Sequence, residues 1–154
     1  MSWETAYLVI NALVLPAWAM LILLPKAILT RRLVHSMLWP LVMGLIYIGF
    51  LVNGMFFGQV DEAAGFGSLA GVMALFDHPN GTLTGWTHYL AFDLFVGAWI
   101  GRDSQRRGLH HGLVIPCQLG AFIFGPVGLV LYAILRLVTG NGFSLVEDQD
   151  APNR

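Results

Sequence analysis

A carboxylate, Asp93, sits in the middle of the run GWTHYLAFDLFVGAWIGRD over residues 85–103, whose stretch ahead of Arg102 is otherwise apolar enough to cross a bilayer. An aspartate there costs about 3 kcal/mol or more to insert, so its presence asks for a use. A carboxyl group kept neutral by apolar surroundings can give a proton to a basic atom, and as a carboxylate it can take one back. His88 is the second acid–base candidate on this segment. Five residues of α-helix turn it about 140° away from Asp93, which argues against both binding one metal ion. On a helical wheel Trp86, Tyr89, Asp93 and Gly97 share one face, while His88, Phe92, Phe95 and Trp99 share another. Aromatic rings beside a buried acid suit a long, flat, apolar ligand, whose area they cover without hydrogen bonds. Trp86, Tyr89, Phe92 and Trp99 are therefore the candidate lining residues.

Asn11, Asn53 and Gln118 are further polar residues within apolar stretches. At 1.5 Å of rise per residue, Asn11, Asn53 and His88 fall toward one membrane surface and meet if their helices are neighbours. Asp93 and Gln118 fall at similar depths on two antiparallel helices joined by a short loop, which predicts a hydrogen bond between them. Asn53 and Gln118 join the candidate binding set, although such amides also serve as glue between helices. His35, His110 and His111 belong to the opposite end, and His78 to a loop. His110 and His111 could bind a metal with His35, but adjacent histidines in a basic loop are more often simply solvated. No metal site is assigned, since ligands drawn from separate helices leave no spacing signature. Cys117 is alone, which rules out an intrachain disulfide and any multi-cysteine metal motif. There is no phosphate-binding glycine loop and no nucleophile elbow. The few basic residues do not suit nucleic-acid binding.

Whatever these residues do, four apolar segments must position them. Charged residues make up only 11% of the 154-residue chain, and hydrophobic ones 56%. The segments lacking Asp, Glu, Lys and Arg are 5–25, 33–60, 78–92 with 94–101, and 108–135. Each approaches or exceeds the roughly 20 residues of a spanning helix. The predicted fold is all-α: one integral membrane four-helix bundle with spans at about 3–24, 34–57, 83–101 and 112–138. A polar, acidic tail follows over 139–154. Between the second and third spans Phe66, Leu69, Ala70, Met73 and Phe76 recur at helical spacing, which predicts a short amphipathic outer helix. In the fourth span Gly125-Pro126-Val127-Gly128 predicts a mid-membrane kink. Lys26, Arg31 and Arg32 separate the first two spans, and Arg102, Arg106 and Arg107 the last two. By the positive-inside rule both basic loops face the cytoplasm, which puts both termini and the 58–82 connection outside. Met1–Glu4 lacks the basic start of a signal peptide, so the first apolar run reads as a mature helix.

The run Trp86–Gly97, followed by Trp99, Ile100 and Asp103, then Pro116, the FGPVGL stretch at 124–129 and Arg136, resembles the abscisic-acid-deficient-4-like family, which includes plant neoxanthin synthase. The likeness is strongest over about 66–136; the first two spans share only hydropathy and position. Many members carry arginine where this chain has Ala98, so any role of that arginine is missing here. Without a plastid transit extension the chain looks like a bacterial-type relative in an inner membrane. The resemblance implies a membrane protein acting on a carotenoid or similar polyene, by an isomerisation in which an epoxide opens and an allene forms. Asp93 and His88 are the matched positions able to do acid–base work. Oxidative cleavage to an apocarotenoid or retinal is the other carotenoid chemistry open to a bacterial member, and would require a redox metal such as iron. The competing reading is a pigment-binding or assembly subunit of a larger membrane complex. Spacings such as Gly54–Gly58 and Gly97–Gly101 suit such association or a homo-oligomer.

Overall fold

The structure, a computed structural model, describes residues 2–145, and those residues form helices and turns without strands. Helix α1 spans Trp3–Leu23, α2 Ile28–Leu33, α3 Leu38–Phe57, α4 Leu69–Ala74, α5 Pro79–Arg106, α6 His111–Phe124 and α7 Pro126–Val138. The acidic end of the expected tail lies outside the described residues.

Local chemistry explains the boundaries. Ser2 caps α1 by accepting from the Thr5 amide at 3.1 Å. The Thr30 hydroxyl donates to the Leu24 carbonyl at 2.6 Å, so α2 occupies what the sequence suggested was a plain basic loop. The second long helix starts at Leu38 rather than Val34. Pro40 explains the delay: it has no N–H for the Ser36 carbonyl, and its ring crowds that carbonyl. The expected outer helix is present but short. Ser68 caps α4 through the Gly71 amide, while Phe66, Leu69 and Met73 are exposed and the Phe76 ring packs against Gly85 of α5. Helix α5 is longer than expected at both ends. His78 caps it through Nδ1, Pro79 occupies its first turn, and it runs on to Arg106.

Helix α5 is the central post, about 42 Å long at 1.5 Å per residue, with α1, α3, α6 and α7 packed on it. Helix α1 runs parallel to it: Trp3 lies by His78, Trp86 by Asn11, and Gln105 by the Pro25 carbonyl. Helix α3 is antiparallel, pairing Asn53 with Asn80 and Tyr47 with His88. Ile10, Val14, Leu21, Leu94, Ile100, Val114 and Ala121 fill the core between these rods.

The fourth span departs from expectation. Residues 112–138 form not one kinked helix but two short ones that fold back on each other. Gly125 turns the chain with φ 49° and ψ −90°, and Pro126 starts α7. A positive φ of this kind favours glycine. A side chain at Gly128 would collide with the Ala121 amide and the Cys117 carbonyl, so the two arms touch backbone to backbone. The hairpin returns α7 to the end from which α6 began. There Tyr132 donates to Asp103 at 2.6 Å, Arg136 approaches the same carboxylate at 3.6 Å, and Arg107 donates to the Asn141 and Ser144 carbonyls. Trp3 and Asn141 lie at opposite ends of α5, whereas the expectation put both chain ends on one side; the C-terminal residues themselves lie outside the described residues. A glycine–proline pair reads from sequence as a kink, and only the close approach of Gly128 to α6 shows it to be a reversal.

Asp103 is the fastening of that hairpin. It is buried, and it accepts from Arg107 Nε at 2.7 Å as well as from Tyr132, with Arg106 and Arg136 adding charge. Burial alone would raise its pKa, but the bonds from Arg107 and Tyr132 and the charges of Arg107 and Arg136 outweigh it and hold it below its ordinary value. A depressed carboxylate stabilises the fold above its unfolded pKa of about 4. That contribution disappears as the pH falls through the lower, folded value.

Asp103→Asn is expected to cost about 3 kcal/mol by leaving Arg136 buried without its counter-charge, and to flatten the acid limb of the stability curve. Thermal unfolding followed by circular dichroism from pH 7 to pH 3 checks both effects. Gly128→Val should destabilise the fold by about 3 kcal/mol because the hairpin arms cannot separate without losing their packing; the same unfolding measurement tests it.

Candidate functional site

Helix α5 carries Asp93 at its midpoint, and the hairpin tip closes over it. A side chain at Gly125 would collide with Asp93 Oδ1, so the tip rests directly on the carboxyl. Asp93 is 7% exposed, and its Oδ2 has no hydrogen-bond partner. The start of α7 lies against this carboxyl, and the positive end of a helix dipole favours negative charge there. Tyr89 is the neighbour one turn away. Its hydroxyl donates to the Ile123 carbonyl at 2.7 Å, fixing the ring beside Asp93. Trp86 stacks on Tyr89 with centroids 5.2 Å apart, and Tyr7 continues the row at 6.1 Å from Trp86. The result is a buried acid at the end of an aromatic row.

His88 belongs to a different place. It faces α3, with Phe92 at 4.6 Å and Tyr47 at 5.9 Å between ring centroids. It lines an apolar cavity of about 480 Å³ bounded by Tyr47, Phe50, Met55, Phe76 and Thr84. The structure therefore brings Trp86 and Tyr89 to Asp93 and takes His88 and Phe92 away from it. Trp99 packs edge-on against Tyr132 at 5.4 Å, two turns below Phe92 and against α7.

The predicted Asp93–Gln118 hydrogen bond is absent. Gln118 is fully buried with both amide atoms unpartnered, and its Nε2 lies 3.2 Å from where a Gly101 side chain would begin. The depth count misplaced it because α5 runs past Gly101 to Arg106, which moves the turn to α6 several residues along the chain and leaves Gly125, not Gln118, opposite Asp93. Nor do Asn11, Asn53 and His88 meet. Asn11 accepts from Trp86 Nε1 at 3.2 Å, and Asn53 donates to Asn80 Oδ1 at 3.2 Å.

Asn80 escaped the sequence reading because His78-Pro79-Asn80-Gly81 resembles a turn. With Pro79 in the first helical turn it is instead a buried residue of α5, donating to the Phe50 carbonyl at 2.9 Å. Trp18 was also missed. It crosses α5 at Gly97, where no other residue leaves room, and packs on Phe122 at 5.2 Å.

The histidines do not assemble a metal site. His111 Nε2 bonds the Ile22 carbonyl at 2.8 Å, and His110 caps the Gly112 amide. Among the described residues no three of His, Cys, Asp and Glu come together as a metal would require. The donor set for an iron centre is therefore not met by these residues.

Comparison with known proteins follows the same stretch of chain. It is 22% identical over 138 residues to Protein ABA DEFICIENT 4, chloroplastic, of Arabidopsis thaliana, an alignment covering 84% of this chain and 60% of that protein. The chain thus spans less than two thirds of the length of this relative. No solved structure matches. The family model described as ABA DEFICIENT 4-like matches residues 5–132, a stretch that contains α1 through the first turns of α7, with Asp93, the aromatic row and the hairpin tip inside it, and the chain belongs to that family.

Proposed function

We propose that this is an integral membrane protein that binds a carotenoid-type polyene and isomerises it, with Asp93 as the acid. The observation that carries the reading is a mid-helix carboxyl, buried under a hairpin tip with an unpartnered oxygen, at the end of a row of aromatic rings. Membrane placement is supported by α1 and α3, each long and apolar enough to cross by length and composition. It is also supported by the large apolar side chains that α3 leaves exposed, among them Leu41, Leu45, Ile48, Met55 and Phe56, since soluble proteins rarely expose apolar patches that large.

In this arrangement α1, α3 and α5 cross the membrane and α6–α7 enters and leaves on one side. Lys26, Arg31, Arg32, Arg102, Arg106, Arg107 and Arg136 then gather at one end, and Glu4, Asp61, Glu62 and Asp77 at the other. The positive-inside rule assigns the basic end to the cytoplasm, with the N-terminus outside and Asn141–Leu145 inside. Arg136, which a fourth span would place outside, now agrees with the rule. A reporter that is active only in the cytoplasm, fused after Arg154, should be active; a four-span chain would leave it silent.

Protonated Asp93 would give its proton to an epoxide oxygen as a C–O bond breaks. The carboxylate so formed would then take a proton from a carbon on the conjugated chain, whose C–H electron pair becomes the new double bond. The proton returns to Asp93, and no electrons are gained or lost. One carboxyl can serve both steps, which suits an acid whose nearest histidine faces another helix. Trp86 and Tyr89 would hold the end ring of the ligand, and the start of α7 would ease the transient negative charge.

The cavity at His88 favours a second reading, in which the protein stores or presents a pigment without changing it, because its walls do not include Asp93. Co-expression with a carotenoid pathway, followed by chromatography of cell pigments and of pigment bound to purified protein, separates the two. The enzyme reading expects a new product that Asp93→Asn lowers at least 100-fold while pigment still co-purifies. Formation of product at the parent rate by Asp93→Asn would overturn the assignment, and bound but unchanged pigment with the parent chain would favour storage.

A further inference from the structure

A second built site lies two turns beyond Asp93, at the basic end of the molecule. His35 and Gln118 converge there on Gly101: His35 Cε1 is 3.4 Å and Gln118 Nε2 3.2 Å from the point where a Gly101 side chain would begin. Both ring nitrogens of His35, both amide atoms of Gln118 and the indole nitrogen of Trp39 are buried without partners. That concentration is unusual, since buried polar groups are ordinarily satisfied. Next to them is a cavity of about 220 Å³ in the seam between α3 and α5. Its rim is polar, formed by His35, Ser36, Trp39 and Arg102, and its wall is apolar, formed by Met43, Leu94 and Phe95 among others.

Charge identifies the class of occupant. Arg102 and Arg31 are both close enough to act on His35 electrostatically. Burial first, and then those two charges, hold the imidazole below its ordinary pKa. It is thus uncharged at neutral pH, with one N–H to donate. Helix α3 also opens at this rim, after Met37, with its Leu38 amide donating to Ser36 Oγ at 3.2 Å. The start of a helix favours an anion. An anionic group at the rim would lie beside the Arg102 guanidinium and, once the rings turn toward it, take the unpartnered imidazole and indole N–H groups, with the Arg31 charge acting on the same imidazole. The apolar wall continues along α3 and α5 toward the middle of the molecule and would take a hydrocarbon chain.

We propose that this cavity binds the phosphate headgroup of an anionic phospholipid of the cytoplasmic leaflet, with one acyl chain lying in the α3–α5 seam. The proposal rests on the membrane placement argued above but not on the carotenoid chemistry. The lipid would hold the α2–α3 linker, which carries His35 and Ser36, against α5.

The test uses the full chain purified in detergent and probed with phosphatidylglycerol, phosphatidylcholine or inorganic phosphate, with retained lipid counted by native mass spectrometry and protection read from thermal unfolding. Phosphatidylglycerol should be retained in preference to phosphatidylcholine. His35→Phe and Trp39→Phe, which keep an aromatic ring at each position and remove the donors, should each weaken retention about tenfold, as expected for losing a hydrogen bond to a charged group. Having two variants keeps the test decisive if one fails to fold. Equal retention of the two lipids, or parent-like retention by a folded variant, overturns the proposal. Protection by inorganic phosphate equal to that by the lipid would overturn the lipid as source. Protein recovered outside the membrane fraction would defeat the membrane placement itself, whereas membrane-bound protein without a lipid preference defeats only the headgroup site.

Discussion

A buried carboxylate, Asp103, holds Arg107, Arg136 and Tyr132 to one point at the end of α5. Without that contact α7 would have only its packing against α6 and the flank of α5 to bring it back. With it, the chain after Gly125 is drawn toward the same end as the start of α6. The tip of the hairpin is thereby set at half the length of α5, and half the length of α5 is where Asp93 sits. One ion-pair cluster near a surface thus determines what covers an acid far from that surface. Its value lies less in net stability, which buried ion pairs provide poorly, than in selecting this return path over a continuous helix.

The hairpin depends equally on the absence of side chains. Gly125 supplies the turn and Gly128 the backbone contact, and Pro126 ends one helix and begins the next. Together with Asp103 these residues form a single device, although they are spread from position 103 to position 128. A larger residue at either glycine and a neutral residue at 103 would damage it in different ways, the first by overcrowding and the second by leaving an arginine stranded.

Much of the architecture could be read before the structure was known, because long apolar helices announce themselves by composition and length. Helix α1, helix α3 and the core of α5 fall where hydropathy puts them, and Asp93 stands out because its surroundings are so uniform. Two kinds of information were missing. Helix ends set by proline and capping shifted α3 inward and α5 outward, and the longer α5 moved Gln118 away from Asp93. Reversal at Gly125 left no mark in periodicity, since two short helices and one kinked helix share the same hydrophobic pattern. The separation of His88 from Asp93 was the exception: helical geometry alone turned them apart, and the structure seats them against different neighbours. Asn80 was hidden for a local reason, a proline that opens a helix looking the same as one that makes a turn.

Because the hairpin stops halfway, the molecule is not a cylinder. Five long rods, α1, α3, α5, α6 and α7, share one half of its length, while α1, α3 and α5 run on into the other, where the segment carrying α4 packs Phe76 against Gly85. In the proposed membrane placement, with the basic end inward, the hairpin would add area to the cytoplasmic leaflet and none to the outer one. There, lipids of the outer leaflet would close over the step above the tip, near Tyr89 and Ile123. In that placement the device that shelters one carboxyl would also shape how the protein sits among its lipids.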